Sequence, residues 1–105
     1  MAKGFLFRGI IEEVGRVTDV TPKAEGHLLL VIQRTPGGKE VQTGDHIAVN
    51  GVCLTVADAN DLILSFNVWP ATITRTALPN LKPGDMVNLE TNKLESGDGF
   101  PCPAG

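Results

Sequence analysis

The chain has few of the features that mark several common protein classes. It contains two cysteines in 105 residues, too few for the disulfide framework of a small secreted domain. Its longest apolar run spans only residues 28–32, far below the roughly 20 residues that a membrane-spanning helix needs. Basic residues are outnumbered, with nine Lys and Arg against twelve Asp and Glu. These shortages argue against a disulfide-rich, a membrane or a nucleic-acid-binding protein.

The cysteines and histidines do not form a metal-binding pattern. Cys53 lies in an apolar segment, whereas Cys102 lies in a segment rich in Gly and Pro. These cysteines are far apart in the sequence, and His27 and His46 lie at no ligand spacing, so no zinc site is predicted. The sequence instead predicts a cytoplasmic protein in which both thiols are reduced.

Most of the sequence consists of short segments that resemble β-strands. Hydrophobic residues make up 42% of the chain and charged residues 20%, as expected for one folded domain. Leu62, Leu64, Phe66 and Val68 alternate with more polar positions, which predicts a strand with one buried face. Asn50-Gly51 separates two apolar runs and predicts a hairpin with a type I′ turn.

These segments predict an all-β fold. Residues 70–76 are the only plausible helical piece, since Pro70 suits a first helical position. About six short strands with so little helix favour a barrel or sandwich, and a closed barrel would also remove exposed strand edges. We expect a barrel over residues 1–92 and a flexible Gly/Pro-rich tail over residues 93–105.

No catalytic motif is visible, but several polar side chains could surround a ligand. Thr55 shares a predicted strand face with Cys53, and Thr72 follows Trp69, the single tryptophan. Hydroxyl groups and one aromatic side chain at the mouth of a small barrel could hold a flat ligand with polar edges. His46 could donate to such a ligand or transfer a proton, or it could be an ordinary rim residue, and Trp69 could instead fill the barrel.

Four segments resemble the riboflavin synthase and lumazine protein family. Residues 6–15 are similar to the family's amino-terminal start, with Arg8 where the enzymes usually have Thr and lumazine protein has Arg. Residues 44–56 resemble its Gly-Asp-Ser-Val-Ala-Val-Asn-Gly-Val-Cys-Leu-Thr-Val segment. Residues 66–72 resemble its Phe-Asp-Val-Met-Pro-Glu-Thr segment, and residues 81–90 resemble its closing strand. The resemblance runs in order from residue 6 to residue 90.

The resemblance implies a six-stranded antiparallel Greek-key closed barrel with a short helical turn. It also implies a bound ligand, which would be riboflavin, FMN or 6,7-dimethyl-8-ribityllumazine, without a metal. In the enzyme two tandem barrels form each subunit of a trimer, and two lumazine molecules meet between barrels and exchange a four-carbon unit. The positions that match ligand-lining positions of the family are Phe7, Arg8, Ile11, His46, Cys53, Thr55, Trp69, Ala71 and Thr72.

Departures from the family pattern leave three hypotheses open. The chain has one barrel, His46 replaces the usual Ser, and Ala71 replaces a Glu, as it does in lumazine protein. The first hypothesis is a binding module for a flavin or lumazine. The second is riboflavin synthase activity in a homodimer or other homo-oligomer that pairs identical barrels, with His46 and Cys53 as catalytic candidates. The third is a scaffold whose pocket is filled or inactive, for example one plugged by Trp69 and Phe100.

Overall fold

The computed structural model describes residues 13–38 and 40–90, which form a small β-barrel. One six-residue helix, α1 (Pro70–Arg75), follows the fifth strand, and two 3₁₀ turns lie at Ala24–Gly26 and Leu78–Asn80. The strands are β1 (Glu13–Pro22), β2 (Leu28–Gln33), β3 (His46–Val49), β4 (Val52–Ala59), β5 (Ile63–Val68) and β6 (Met86–Glu90). Within these ranges, no helix is long and apolar enough to cross a membrane.

The strands close into a barrel in the order β1-β2-β5-β4-β3-β6, and every pair is antiparallel. β3, β4 and β5 are consecutive neighbours, and β6 returns to lie beside β3, which is the Greek-key arrangement. Each described strand therefore has two paired neighbours, so the barrel protects strands that would otherwise expose backbone groups. The predicted fold class is confirmed.

The core fills the inside of the barrel with cross-strand layers of side chains. Phe66 in β5 lies opposite Leu30 in β2 on one side and Val56 in β4 on the other. All three side chains are at most 1% exposed. Neighbouring layers place Leu64 and Val68 inside the barrel as well, which confirms the predicted alternation in β5.

Leu62 departs from that alternation and is 38% exposed. The Asn60 side chain accepts hydrogen bonds from the backbone N–H groups of Leu62 and Ile63, at 3.0 and 2.9 Å. This turn sets the start of β5 at Ile63, so Leu62 does not share the buried face as predicted.

The β3–β4 hairpin has the predicted turn. Asn50 and Gly51 have φ angles of 48° and 83°, as a type I′ turn requires at both central positions. Asn50 also connects the hairpin to β6. Its backbone N–H donates to the Asn88 carbonyl, and its side-chain Oδ1 accepts from the Asn88 N–H, each at 2.8 Å.

Helix α1 begins where β5 ends, as predicted from Pro70. The Trp69 carbonyl accepts hydrogen bonds from the N–H groups of Thr72 and Ile73, both at 3.0 Å. At the other end, the Thr76 hydroxyl donates to the Thr72 carbonyl at 2.9 Å. The helix is therefore a short, well-anchored element that fixes Trp69 and Thr72 at one end of the barrel.

Candidate ligand-binding site

The predicted site residues within the described ranges fall into two groups, one on β3 and β4 and the other at the start of α1. His46 begins β3, and Cys53 and Thr55 lie in the first half of β4. Trp69, Ala71 and Thr72 lie at the start of α1. β4 runs antiparallel to β5 with Val56 opposite Phe66, so the start of β4 lies alongside the chain that follows β5. The barrel topology thereby brings the start of β4 near α1, whereas His46 lies further from that end, opposite Thr55.

Cys53 and Thr55 lie on the outer face of the barrel. They alternate with Leu54 and Val56, which are at most 1% exposed and belong to the core, and successive strand residues point to opposite faces. On this strand the two side chains therefore lie outside the barrel rather than inside its mouth. We call the set His46, Cys53, Thr55, Trp69, Ala71 and Thr72 the outer-face site.

The width of the barrel explains why core side chains fill its interior. A barrel of eight strands has an interior just wide enough to be filled by side chains or to hold one small ligand, and six strands enclose less. Here Leu30, Phe66 and Val56 already occupy the inside. These core side chains therefore fill the space between β2, β4 and β5.

His46 and Thr55 form a cross-strand pair on this outer face. They are directly opposite one another in the β3–β4 register. The imidazole Nδ1 of His46 lies 3.4 Å from the Thr55 hydroxyl oxygen, and both side chains are partly buried. Two residue pairs further on, on the same face, Ala48 lies opposite Cys53 and is only 2% exposed. This part of the outer face is thus covered, which gives the pair a recessed setting.

The start of α1 presents an aromatic ring and a buried hydroxyl residue. Trp69 is 49% exposed, so it does not plug the inside of the barrel. Its indole meets the His27 ring edge-on, with ring centroids 5.5 Å apart and an interplanar angle of 76°. Thr72 is 7% exposed, whereas Ala71 is exposed.

His27 is part of this region, although sequence reasoning gave it no role. Its Nδ1 lies 3.2 Å from the Ala24 carbonyl, and a carbonyl can only accept, so Nδ1 carries the proton. The adjacent Gly26 packs against Pro70, because a Cβ placed on Gly26 would lie 3.3 Å from the proline Cγ. The turn before β2 therefore supports the start of α1, a non-local contact without a sequence signal.

Cys53 is disulfide-bonded in the structure, so the prediction of a reduced thiol at this position is wrong. A sulfur atom in a disulfide is not a thiolate and cannot serve as a nucleophile or proton acceptor in that state. The candidacy of Cys53 as a catalytic residue is therefore limited to its reduced form.

The remaining sequence predictions concern residues outside the described ranges. Phe7, Arg8 and Ile11 lie there, as do Phe100 and Cys102. Among residues 13–38 and 40–90, no group of three His, Cys, Asp or Glu side chains could hold a metal ion.

A separate cavity of about 650 Å³ lies at the other end of the barrel, and the predicted site residues in the described part of the chain do not line it. Arg34, Gly38 and Asn60 are among its lining residues. Arg34 forms a two-point ion pair with Glu13, at 2.8 and 3.0 Å, and the two side chains are only 4% and 8% exposed. The guanidinium is thus already engaged by a carboxylate, which argues for a structural role.

The fold and the outer-face site together define a Greek-key barrel that carries hydroxyl and aromatic side chains outside a packed core. The lumazine binding domain family model matches residues 8–92, and the chain belongs to that family. It is 40% identical to riboflavin synthase of Bacillus subtilis (strain 168) over 93 residues, which cover 88% of this chain and 42% of the relative.

Two further relatives match this chain at a similar level of identity and coverage. Riboflavin synthase of Actinobacillus pleuropneumoniae is 39% identical over 92 residues, covering 88% of this chain and 42% of the relative. Riboflavin synthase of Schizosaccharomyces pombe is 36% identical over 91 residues, covering 87% of this chain and 44% of the relative. The chain therefore spans less than half the length of these relatives.

Proposed function

We propose that the outer-face site binds one flavin or lumazine, with riboflavin, FMN and 6,7-dimethyl-8-ribityllumazine as the candidate ligands. The family match over residues 8–92 is the observation that carries this proposal. The side chains of the described residues support it, because such ligands combine a flat ring, a polar ring edge and a hydroxyl-rich chain. A site for them needs apolar or aromatic contact area and a few well-placed polar groups.

Each group of the outer-face site supplies one of these requirements. The half-exposed Trp69 ring offers a flat surface beside which a heterocycle can stack. The Thr55 hydroxyl, held beside His46, offers a hydrogen-bonding group on the strand side of the site. A flavin has about 27 non-hydrogen atoms, and at about −0.3 kcal/mol per atom the dissociation constant would be on the order of 1 μM.

Fluorescence titration with riboflavin tests the proposal directly. Trp69 is the single tryptophan and the chain has no tyrosine, so its emission reports on this site alone. We expect saturable quenching at micromolar riboflavin, with one ligand bound per chain by isothermal titration calorimetry. Absence of both quenching and heat at about 100 μM ligand would contradict the proposal.

Matched variants locate the binding to the outer-face site. Thr55→Val removes the hydroxyl while keeping the shape of the side chain, and we expect about five- to ten-fold weaker binding. Thr18→Val makes the same change on β1, where Thr18 is exposed and donates to the Val31 carbonyl at 3.3 Å. We expect this control to bind riboflavin as the parent protein does. Equal losses in both variants would place the ligand elsewhere.

We propose riboflavin synthase activity in a homo-oligomer as the second candidate function, favoured by the identity of about 40% to riboflavin synthase. The reaction joins two molecules of 6,7-dimethyl-8-ribityllumazine. One gives up a four-carbon unit and becomes a diaminopyrimidine, and the other accepts the unit and becomes riboflavin. One site per barrel holds one reactant, so a second copy of the chain must hold the other close to it.

Incubation with the lumazine separates the two candidates. If copies of the barrel pair productively, riboflavin appears and its rate rises more steeply than linearly with protein concentration below the assembly midpoint. Native mass spectrometry of the same samples measures the oligomeric state. Lumazine binding without riboflavin formation, in monomer and oligomer alike, leaves the binding function and rejects the enzyme.

A further inference from the structure

The contact between His46 and Thr55 places an imidazole beside a hydroxyl of the outer-face site. When the imidazole is neutral, its one proton can lie on either ring nitrogen. The two residues face each other across β3 and β4, and their Nδ1 and Oγ1 atoms are 3.4 Å apart. Directly opposed residues on one face of an antiparallel pair have their Cβ atoms about 5 Å apart. The contact is therefore built into the strand register.

This pairing restricts what Thr55 can offer to a ligand. A threonine hydroxyl has one proton to donate and two lone pairs with which to accept. A neutral imidazole whose proton lies on Nε2 has a lone pair on Nδ1 and can accept the hydroxyl proton. Once Thr55 donates to His46, its remaining capacity is to accept. An unpaired hydroxyl could do either.

We propose that His46 is a positioning residue that fixes the Thr55 hydroxyl as a hydrogen-bond acceptor for the ligand. This inference rests on the proposed function of the outer-face site. The site then selects ligands that bring a donor to Thr55, such as a ring N–H or a side-chain O–H. A ligand that brings an acceptor there leaves two lone pairs facing each other, and binding is weaker.

A double-mutant cycle measured with riboflavin tests this role. His46→Leu removes the Nδ1 acceptor, and Thr55→Val removes the hydroxyl that it orients. We expect each variant to bind about five- to ten-fold more weakly than the parent protein. We expect the double variant to lose no more than Thr55→Val alone, because the two changes remove one arrangement. Losses that multiply would overturn the inference.

Rescue by a conservative variant separates positioning from simple packing. The side-chain oxygen of asparagine can occupy nearly the same place as the imidazole Nδ1 and is likewise an acceptor. We therefore expect His46→Asn to bind riboflavin within about three-fold of the parent protein, unlike His46→Leu. If both variants bind equally weakly, His46 acts through its bulk and the inference fails.

A measurement without ligand tests the direction of the hydrogen bond. Nitrogen NMR of the His46 ring at about pH 8, where an ordinary imidazole is neutral, distinguishes protonated from unprotonated ring nitrogens. We expect an unprotonated Nδ1 whose resonance shifts in Thr55→Val. A proton on Nδ1 would overturn the inference even if riboflavin binds. If riboflavin and the lumazine both fail to bind the parent protein, the proposed function fails, and the inference fails with it.

Discussion

Phe66 occupies the centre of the core, where side chains from three strands meet. It is fully buried between Leu30 and Val56, its partners on either side. Phe66→Ala deletes a ring that no neighbour can replace, and we expect a loss of about 3–5 kcal/mol of unfolding free energy. Urea denaturation measures this loss. The adjacent Asn67 is exposed, so Asn67→Ala is the control and should change stability by less than about 0.5 kcal/mol.

The ion pair between Glu13 and Arg34 predicts a different outcome for single and double substitutions. Both side chains are nearly buried, and Glu13→Leu removes the carboxylate that the Arg34 guanidinium contacts at two points. We expect Glu13→Leu to cost about 3–5 kcal/mol of unfolding free energy. We expect the double variant with Arg34→Met to recover part of that loss, because two apolar side chains need no partner. A double variant that is less stable than Glu13→Leu would contradict this interpretation.

Individual residues of the site differ in how far sequence could identify them. Thr55 and Cys53 lie in a distinctive segment, and their shared strand face follows from strand alternation. The contact of His27 with Trp69 could not be identified, because the rings belong to segments far apart in the sequence. The disulfide of Cys53 also has no signal in the sequence, because two cysteines in a chain of this kind predict reduced thiols.

At the scale of elements, the β3–β4 hairpin offers a test that separates backbone strain from hydrogen bonding. Asn50 has a φ of 48°, and its Oδ1 accepts from the Asn88 N–H. Asn50→Gly keeps the turn conformation and loses only the side-chain hydrogen bond, at a cost of about 1 kcal/mol.

Asn50→Ala loses that hydrogen bond and also places a Cβ-bearing residue in a left-handed conformation, which adds about 1–2 kcal/mol. We therefore expect Asn50→Ala to be less stable than Asn50→Gly in chemical denaturation. Equal stabilities would mean that the turn relaxes to another type and that the left-handed conformation is not required.

Local turn signals allowed the elements to be predicted, and their limits explain the errors. Asn50-Gly51 and Pro70 act within a few residues, so the hairpin and α1 were correctly placed. The start of β5 depends on the Asn60 side chain accepting from two backbone N–H groups. An asparagine side chain in a turn can also bond elsewhere, so the sequence alone does not fix this arrangement. Leu62 was therefore assigned to the wrong face.

At the scale of the whole molecule, the strand order contains pairings that local patterns do not specify. β2 pairs with β5 and β1 pairs with β6, although each pair is separated by other strands in the sequence. Strand spacing predicted a barrel or sandwich, and the family resemblance selected the Greek-key barrel. That Cys53 and Thr55 lie outside the barrel follows from how six strands fill their interior, a property of the assembled molecule.

These non-local pairings predict that the barrel unfolds as one unit. Residues from different strands share a single core, with Val17, Leu30 and Leu89 all at most 1% exposed, and a short strand or two-stranded hairpin is marginal by itself. We expect urea unfolding curves from far-ultraviolet circular dichroism and from Trp69 fluorescence to coincide. Trp69 makes this a demanding comparison, because it is half exposed at the start of α1 rather than in the core. An earlier fluorescence transition would mean that α1 detaches before the barrel opens, and the ligand site would then be less stable than the fold that carries it.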